Sequence, residues 1–461
     1  MATSSAVTIA ARLDRLPPSS YTRNLLVLIS LGGWFEFYDL FFTAAVGAGL
    51  AKSGLFRVGP NPLEIGSLAS FVAALFMGLF IGTIAFSWLS DRFGRRSIFT
   101  FALLWYSIGS FVLAFQSTAL GVDLWRMIAC IGLGVELVNV DTYVAEIVPK
   151  EQRGPAFAFN QAVMYTAVPT IALLAYLMAP PFTFLGLEGW RWVVIIGSLG
   201  AVIIWWIRLG LPESPRWLAQ HGRLEEADRI TTHMEQAAEA DSGGKLPPPQ
   251  LVEGEGDVKR GAWMEMWSQQ YRGRTIMLVV YNLFQTIGYY GFQAWVPQFL
   301  ISQGVDLKES LLFTFIIAIA NPIGPLIGVA FADKLERKWQ IAWAAIGIAV
   351  FGLIFAQQRA EVPLIVFGIL ITLCANWLSF SFHAYQAELY PTRIRAQAVG
   401  FVYSWSRFST IFSPFIITFL LYHYGSTGVF SFIAAAMVVV FIVIGGFGPA
   451  VTRRRLEAIA S

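Results

Sequence analysis

A chain of 461 residues that is 56% hydrophobic and only 13% charged has far more apolar surface than water can solvate, which excludes a soluble globular protein and makes the bilayer the expected solvent. Its formal net charge of +3 gives no support for nucleic-acid binding, and Cys130 and Cys374 both fall inside apolar stretches, so no external disulfide framework is expected.

Residues 1–24 contain Arg12, Arg15 and Arg23 and lack the apolar core of a signal peptide, so they are expected to form a tail. A helix needs about twenty apolar residues to cross the hydrocarbon core. Within 25–211 six candidates follow at roughly 25–50, 64–90, 98–116, 120–144, 156–180 and 191–211. The polar segment 212–274 opens with Pro212-Glu213-Ser214-Pro215-Arg216. It continues through a helix-compatible run from Leu224 to Ala240, then loosens into Gly243-Gly244 and Pro247-Pro248-Pro249, as expected of a partly helical linker. Within 275–450 six more spans are expected at roughly 275–301, 310–332, 340–357, 362–386, 397–421 and 427–450, before a tail at 451–461. Twelve spans place both termini on one side. That side holds about twenty-five of the 32 basic residues, and the opposite loops hold Lys52, Arg57, Arg191, Lys308 and Arg359, so the termini and the linker are expected to be cytoplasmic.

Two charged loops repeat in one register. Asp91-Arg92-Phe93-Gly94-Arg95-Arg96 recurs as Asp333-Lys334-Leu335-Glu336-Arg337-Lys338, and Glu146-Ile147-Val148-Pro149 with Arg153 recurs as Glu388-Leu389-Tyr390-Pro391 with Arg395. Both pairs share one offset, since 333 − 91 and 388 − 146 each equal 242. The chain therefore reads as two copies of one membrane unit. The carboxylates Asp91, Glu146, Glu213, Asp333 and Glu388 alternate with Arg95, Arg96, Arg153, Arg216, Arg337, Arg393 and Arg395 at span ends. They are expected to meet as a latch when the cytoplasmic side closes. An exposed pair is worth only about 0–1 kcal/mol, yet several together bias an equilibrium whose gap is a few kcal/mol.

These loops resemble the major facilitator superfamily, as do Arg126 with Gly132 and Gly134, the Pro212 to Arg216 block, and Glu388-Leu389-Tyr390-Pro391-Thr392-Arg393-x-Arg395. The resemblance covers nearly the whole chain. It implies an all-α membrane protein of twelve transmembrane helices in two pseudo-symmetric six-helix bundles, monomeric and set in a plasma membrane such as a bacterial inner membrane. The Pro212 to Arg216 block is similar to sugar porters, whereas Tyr289-Tyr290-Gly291 with Trp295-x-Pro297 and the Glu388 to Arg395 stretch look more like permeases for niacin, aromatic acids and related organic ions. The sequence departs from sugar porters in having no Gln-Gln pair in span seven and Gly448-Pro449-Ala450 in place of a Pro-Glu-Thr block after span twelve.

Charge inside the membrane points to chemistry, because an ionised side chain at bilayer centre costs at least about 2.5–3.5 kcal/mol. Span one holds Glu36 and Asp39, three apart and so on one helical face; span four holds Arg126 and Glu136; span eleven holds Arg407. Asp39 follows Phe37-Tyr38 as an aspartate does in proton-coupled sugar porters, where it faces the span-four arginine matched by Arg126. The resemblance thus implies a proton switch at Asp39 and Arg126, with Glu36 as a second candidate proton site. The expected substrate site comprises Asn160, Gln161, Tyr165, Gln285, Tyr289, Tyr290, Asn376 and Trp377, with Arg407 to meet a carboxylate. Tyr165 and Arg407 again lie 242 apart, which places them at equivalent depth. No phosphate loop, zinc-ligand spacing or nucleophile elbow is present, so neither an ATP-driven pump nor an enzyme is expected, and the proton is the only coupling cofactor. The sequence therefore reads as a proton-coupled symporter of a small organic acid, with a sugar or polyol symporter and an uncoupled uniporter as alternatives.

Overall fold

The computed structural model describes residues 2–57, 61, 64–149, 152–208, 210–249, 263–331, 335–390 and 392–451. At 2–5, 86–88, 90–91, 137–139, 141, 203–204, 207–208, 263, 328–331, 387, 392–393 and 395–396 it describes the backbone alone. The fold is all-α, and among the described residues its helices account for all twelve expected spans. They are α2 (Ser20–Lys52), α3 (Leu68–Phe93), α4 (Arg95–Ala114), α5 (Ala119–Ile147), the pair α6 (Arg153–Tyr165) and α7 (Ala167–Leu177), and α8 (Gly189–Arg208). After the linker come the pair α11 (Arg272–Gln293) and α12 (Val296–Ser302), the pair α13 (Leu307–Ala318) and α14 (Ala320–Phe331), α15 (Arg337–Gln357), α16 (Glu361–Glu388) and α17 (Thr392–Phe447). The last runs through spans eleven and twelve. Gly425, at φ 63°, breaks it between them in the left-handed region that a residue without Cβ enters freely.

By length and apolarity alone, eight stretches among the described residues could cross a membrane, and the eighth, 397–447, contains two spans. The helices α5, α8 and α11 fall outside that set, α8 through a shorter apolar stretch over 189–202 among the described residues. α5 carries Asp123, Arg126 and Glu136, and α11 carries Tyr281, Asn282, Gln285, Tyr289, Tyr290 and Gln293.

Side-chain capping fixes where several spans begin: Ser19 accepts from the Thr22 N–H, Ser67 and Ser70 form a capping box, Thr118 caps α5 and Asp306 caps α13. In the first half α3 packs on α5 with no room for side chains between them. A Cβ on Gly78 or Gly82 would run into the carbonyl oxygen of Met127 or Ile131, and one on Gly134 would sit 2.5 Å from the Leu79 oxygen. Gly82→Leu is therefore expected to cost at least the 1–3 kcal/mol typical of overpacking (about) and to leave little monodisperse protein in size-exclusion chromatography. Gly154→Ala, whose Cβ would meet nothing within 4 Å, should behave as wild type.

One departure from the sequence reading lies on the face that holds the chain's N-terminus. The first 24 residues are not a bare tail, because 2–14 form α1 (Ala2–Asp14) and α2 starts at Ser20. The linker is partly helical as expected: α9 (Pro215–Gln220) and α10 (Leu224–Ser242) join α1 in a second apolar core built on Leu13, Leu16, Trp217, Leu218, Ala227 and Met234. Residues 250–262 and 452–461 lie outside the described residues. On the opposite face β1 (Thr183–Phe184) and β2 (Leu187–Glu188) make a short antiparallel hairpin that the apolar pattern did not anticipate. These are called the linker face and the hairpin face below.

The α1–α10 contact is charged. Arg12 pairs with Glu235 at 2.7 Å and Asp228 at 2.5 Å, Arg15 also pairs with Glu235, and the Ser20 N–H donates to Asp241 at 2.5 Å. Burial alone would raise the Glu235 carboxyl, but the bonds and charges of Arg12 and Arg15 outweigh it and hold the group below its ordinary 4.5. A depressed acid stabilises the folded form above its ordinary value, and that contribution is lost as pH falls through the depressed one. Hydrogen-exchange protection factors across residues 2–16 are thus expected to be high at about pH 7 and to fall as pH drops below about 4.5, and to be low at both pH values in Glu235→Gln.

Candidate functional site

Each half contains the same ion pair at its foot on the linker face. Arg95, at the start of α4, bonds Glu146 near the end of α5 at 3.1 Å, and Arg337, at the start of α15, bonds Glu388 at the end of α16. Both partners are shifted by the 242-residue offset of the repeat. Glu213 adds a cap by accepting from the N–H groups of Arg95 at 2.9 Å, Arg96 at 3.1 Å and Ser214 at 3.0 Å. Burial lifts its carboxyl above the ordinary 4.5 even though those N–H groups pull it down. The cap closes over Gly94, at φ 98°, where a Cβ would strike the Glu213 carboxylate.

This narrows the expected latch: the described pairs close within a half, joining the loop before the third or ninth span to the loop after the fourth or tenth. Arg216 joins the first-half pair through the Glu146 carbonyl at 3.1 Å and bonds Asp14 of α1 at 2.6 Å. Arg153 lies 3.6 Å from Asp14 and donates to the Val148 carbonyl at 3.3 Å. The Asp14 contribution was not anticipated, since its only signal was a short amphipathic run in an expected tail. The side chains of Asp91, Asp333, Arg393 and Arg395 lie outside the described residues.

Deep in the first half Asp39 and Arg126 meet. The Arg126 Nη1 donates to Asp39 Oδ2 at 2.9 Å, while its Nη2 donates to the Asp39 carbonyl at 2.6 Å and to the Thr43 hydroxyl at 2.8 Å. Ser110 donates to the other carboxylate oxygen at 2.5 Å. Phe42 lies 4.1 Å and Phe71 5.7 Å from the guanidinium carbon, so aromatic faces complete the enclosure. Both charges are buried. A buried pair with this bonding is held by its geometry, and losing either member leaves an uncompensated charge.

A second cluster forms where the two halves meet. The Tyr165 hydroxyl from α6 and the Tyr289 hydroxyl from α11 are 2.7 Å apart, and Phe76 of α3 meets the Tyr290 ring at 4.7 Å. Phe37 of α2 packs edge-on against Tyr165 at 5.0 Å. Arg407 of α17, itself buried, donates to the hydroxyls of Tyr290 at 3.4 Å and Tyr403 at 3.3 Å and lies 5.1 Å from the Tyr403 ring. These bonds are longer than the ~2.7–2.9 Å of charge-assisted ones, so neutral hydroxyls position the guanidinium without neutralising it. Tyr289 also reaches Asn376 at 3.4 Å, which bonds Asn321 at 3.2 Å, and Gln293 bonds the same Asn321 oxygen at 3.2 Å.

Of the expected substrate residues, Tyr165, Tyr289, Tyr290, Asn376 and Arg407 come together, and Gln285 is buried one turn from Tyr289 on α11. Three do not join them. The Trp377 indole N–H donates to Gln340 of α15 at 2.9 Å, which turns it away from the cluster; Asn160 donates to the Met164 sulfur in its own helix at 3.3 Å; Gln161 is half-buried with no bond to the cluster. Toward the hairpin face the halves are packed together. Phe41, Val168 and Ile171 face Val296, Thr314 and Ile317 around a cavity of about 30 Å³, which holds about one water and no solute.

The family model described as "Sugar (and other) transporter" matches residues 25–461. The inner membrane metabolite transport protein YdjE of Escherichia coli (strain K12) is 27% identical over 98% of both chains. The niacin transporter NiaP of Acinetobacter baylyi (strain ATCC 33305 / BD413 / ADP1) is 26% identical over 98% of this chain and 99% of its own. Among solved structures, the inward-open xylose transporter XylE from E. coli superposes with a TM-score of 0.73 at 19% identity, covering 95% of this chain and 99% of the other. A repeated pair of six-helix bundles, a family match over both of them and relatives matched end to end lead to one assignment: the chain is a multi-pass membrane transporter belonging to the sugar (and other) transporter family of the major facilitator superfamily.

Proposed function

We propose that this transporter carries out proton-coupled symport of a small organic acid, an aromatic or other carboxylate metabolite, by alternating access. The observation that carries the reading is Arg407, a buried guanidinium held by two tyrosine hydroxyls at the junction of the halves. Among apolar and aromatic walls such a group selects a planar carboxylate, which accepts two parallel N–H bonds. The relative named as a niacin transporter supports the same class. Asp39 takes the coupling proton and Arg126 sets its affinity for it, because a carboxylate leaving its guanidinium in a water-poor site is costly unless it is protonated. The linker face, rich in Arg and Lys, is cytoplasmic, so the hairpin face sealed over the site is the outer one. The ion pairs at the feet of each half keep its helices moving as one body against the other.

A neutral sugar is the second reading, favoured by the Tyr289, Asn376, Asn321 and Gln293 chain, whose amides and hydroxyl suit a solute with many hydroxyls. The two are separated by following pH inside lightly buffered proteoliposomes as nicotinate, benzoate, acetate, xylose or glucose is added outside, with empty liposomes subtracted. Protein-dependent acidification with an acid is the expected result. Acidification with sugars alone overturns the substrate class, and solute uptake without proton movement leaves a uniporter.

A further inference from the structure

His383 stands on α16 five residues before Glu388, the acid that closes the foot of the second half on the linker face. Its side chain leans toward the start of its own helix, as helical side chains do, and so into the membrane toward the central cluster. It follows Asn376 by seven residues, close to two full turns, so the two share one face of α16. From that face Asn376 reaches Tyr289. Asn376 is buried, whereas His383 is exposed, and among residues 367–386 of α16 no other side chain is. With the halves packed together toward the hairpin face, that exposure opens toward the linker face.

The imidazole is half committed. Its Nδ1 lies 2.7 Å from the Ser379 carbonyl, and a carbonyl oxygen only accepts, so Nδ1 carries the hydrogen and the neutral ring presents a lone pair at Nε2. No hydrogen bond to Nε2 forms among the described residues. One wall joins this acceptor to Arg407. The Tyr403 ring lies 5.6 Å from the imidazole and 5.1 Å from the guanidinium carbon, and its hydroxyl accepts from Arg407 at 3.3 Å. All three residues belong to the second half, so their spacing is carried along when the halves move as bodies. Arg407 offers donors and no acceptor; His383 supplies the acceptor that Arg407 lacks.

We propose that His383 is a substrate-contacting residue that determines specificity: while Arg407 holds the carboxylate, His383 Nε2 accepts a hydrogen bond from a hydroxyl or N–H on the side of the solute away from it. The transporter then selects acids that carry such a donor, and among the aromatic walls of this site the fitting class is the ring-hydroxylated aromatic acids. The inference rests on the organic-acid reading above and narrows it. A ring nitrogen that only accepts, as in nicotinate, sets one lone pair against another at Nε2 and gains nothing there.

The test measures equilibrium binding to the purified full-length protein at about pH 7.5, where a free imidazole is mostly neutral and a phenol keeps its proton. The probes are benzoate, nicotinate, meta- and para-hydroxybenzoate, and the methyl ethers of the last two, which have the added oxygen but no donor. At least one hydroxybenzoate is expected to bind about threefold to tenfold tighter than both benzoate and its own ether, the worth of one neutral hydrogen bond. His383→Phe keeps a ring against Tyr403 without an acceptor, and should erase that advantage while leaving benzoate within about twofold of wild type. His383→Gln, whose amide oxygen accepts, should restore part of it. Wild type that prefers neither hydroxybenzoate to its ether, or an advantage that survives whole in His383→Phe, overturns the proposal, and the organic-acid reading stands on the binding of benzoate. No binding of any acid by wild type overturns that reading and the proposal with it. Should His383→Phe fail to fold, His383→Ala removes the same acceptor and is read in the same way.

Discussion

Asp39→Asn is expected to abolish uphill accumulation while leaving exchange of internal for external solute within about twofold of wild type. Asparagine preserves the shape of the site. Arg126 keeps its bonds to the residue 39 carbonyl, at 2.6 Å, and to Thr43, at 2.8 Å, which hold the guanidinium in place even without its counter-anion. What disappears is the ability of the position to exist in two charge states, and with it the link between proton binding and movement of the halves. A carrier that turns whether or not a proton is bound slips, returning solute as readily as it brings it. Each proton moved down a gradient of one pH unit supplies about 1.4 kcal/mol, or tenfold accumulation, so the inside-to-outside ratio should fall to about one in the variant. Arg126→Leu should behave differently. It leaves Asp39 buried beside Ser110 without its cation, at a cost of about 3–5 kcal/mol, and is expected to lower the yield of folded protein. Measuring accumulation and exchange on the same vesicles separates loss of coupling from loss of protein; an Asp39→Asn carrier that still accumulates solute would remove the role given to Asp39.

The repeat made the architecture legible. Two charged loops in one register require two equivalent frames to hold them, and the Arg95–Glu146 and Arg337–Glu388 pairs occupy those frames at the same offset. Sequence spacing could not say which partner each arginine would choose, because a residue at a span end reaches both its own bundle and the other, and the partner 51 residues on, at the end of the next span of the same half, prevailed. α1 was missed since a short helix with Arg12, Asp14 and Arg15 on its polar side carries no membrane signal; only its docking on α10 and the carboxylates of Asp228 and Glu235 gives it a place. In the central cluster the residue types were legible but their directions were not. Trp377 and Asn376 are adjacent on α16 and so point about 100° apart, which sends Asn376 to Tyr289 and Asn321 and Trp377 to Gln340. Asp39 and Arg126 lie 87 residues apart, and only the family resemblance, not local pattern, joined them.

Arg407→Gln offers the largest separation between the two substrate readings. In the organic-acid reading it removes the group that meets the carboxylate. A hydrogen bond to a charged partner contributes about 1.5–3 kcal/mol, so loss of the guanidinium should weaken nicotinate or benzoate binding by about tenfold to a hundredfold or more. Arg407→Lys keeps the charge but loses the planar fork and the stack on Tyr403, and should recover only part of the affinity. In the sugar reading the guanidinium is a bystander among tyrosines: glutamine can still donate to Tyr290 and Tyr403, and xylose binding should change little. Stability moves the opposite way from function. Replacing a buried cation by a neutral amide removes a desolvation cost, so Arg407→Gln is expected to melt no lower than wild type in detergent, and a lost signal cannot be charged to misfolding. Preserved folding, abolished acid binding and partial rescue by lysine are the combined outcome expected of a carboxylate site; acid binding undiminished in Arg407→Gln would place the substrate elsewhere and return Arg407 to the role of an interhelical tie between α17 and α11.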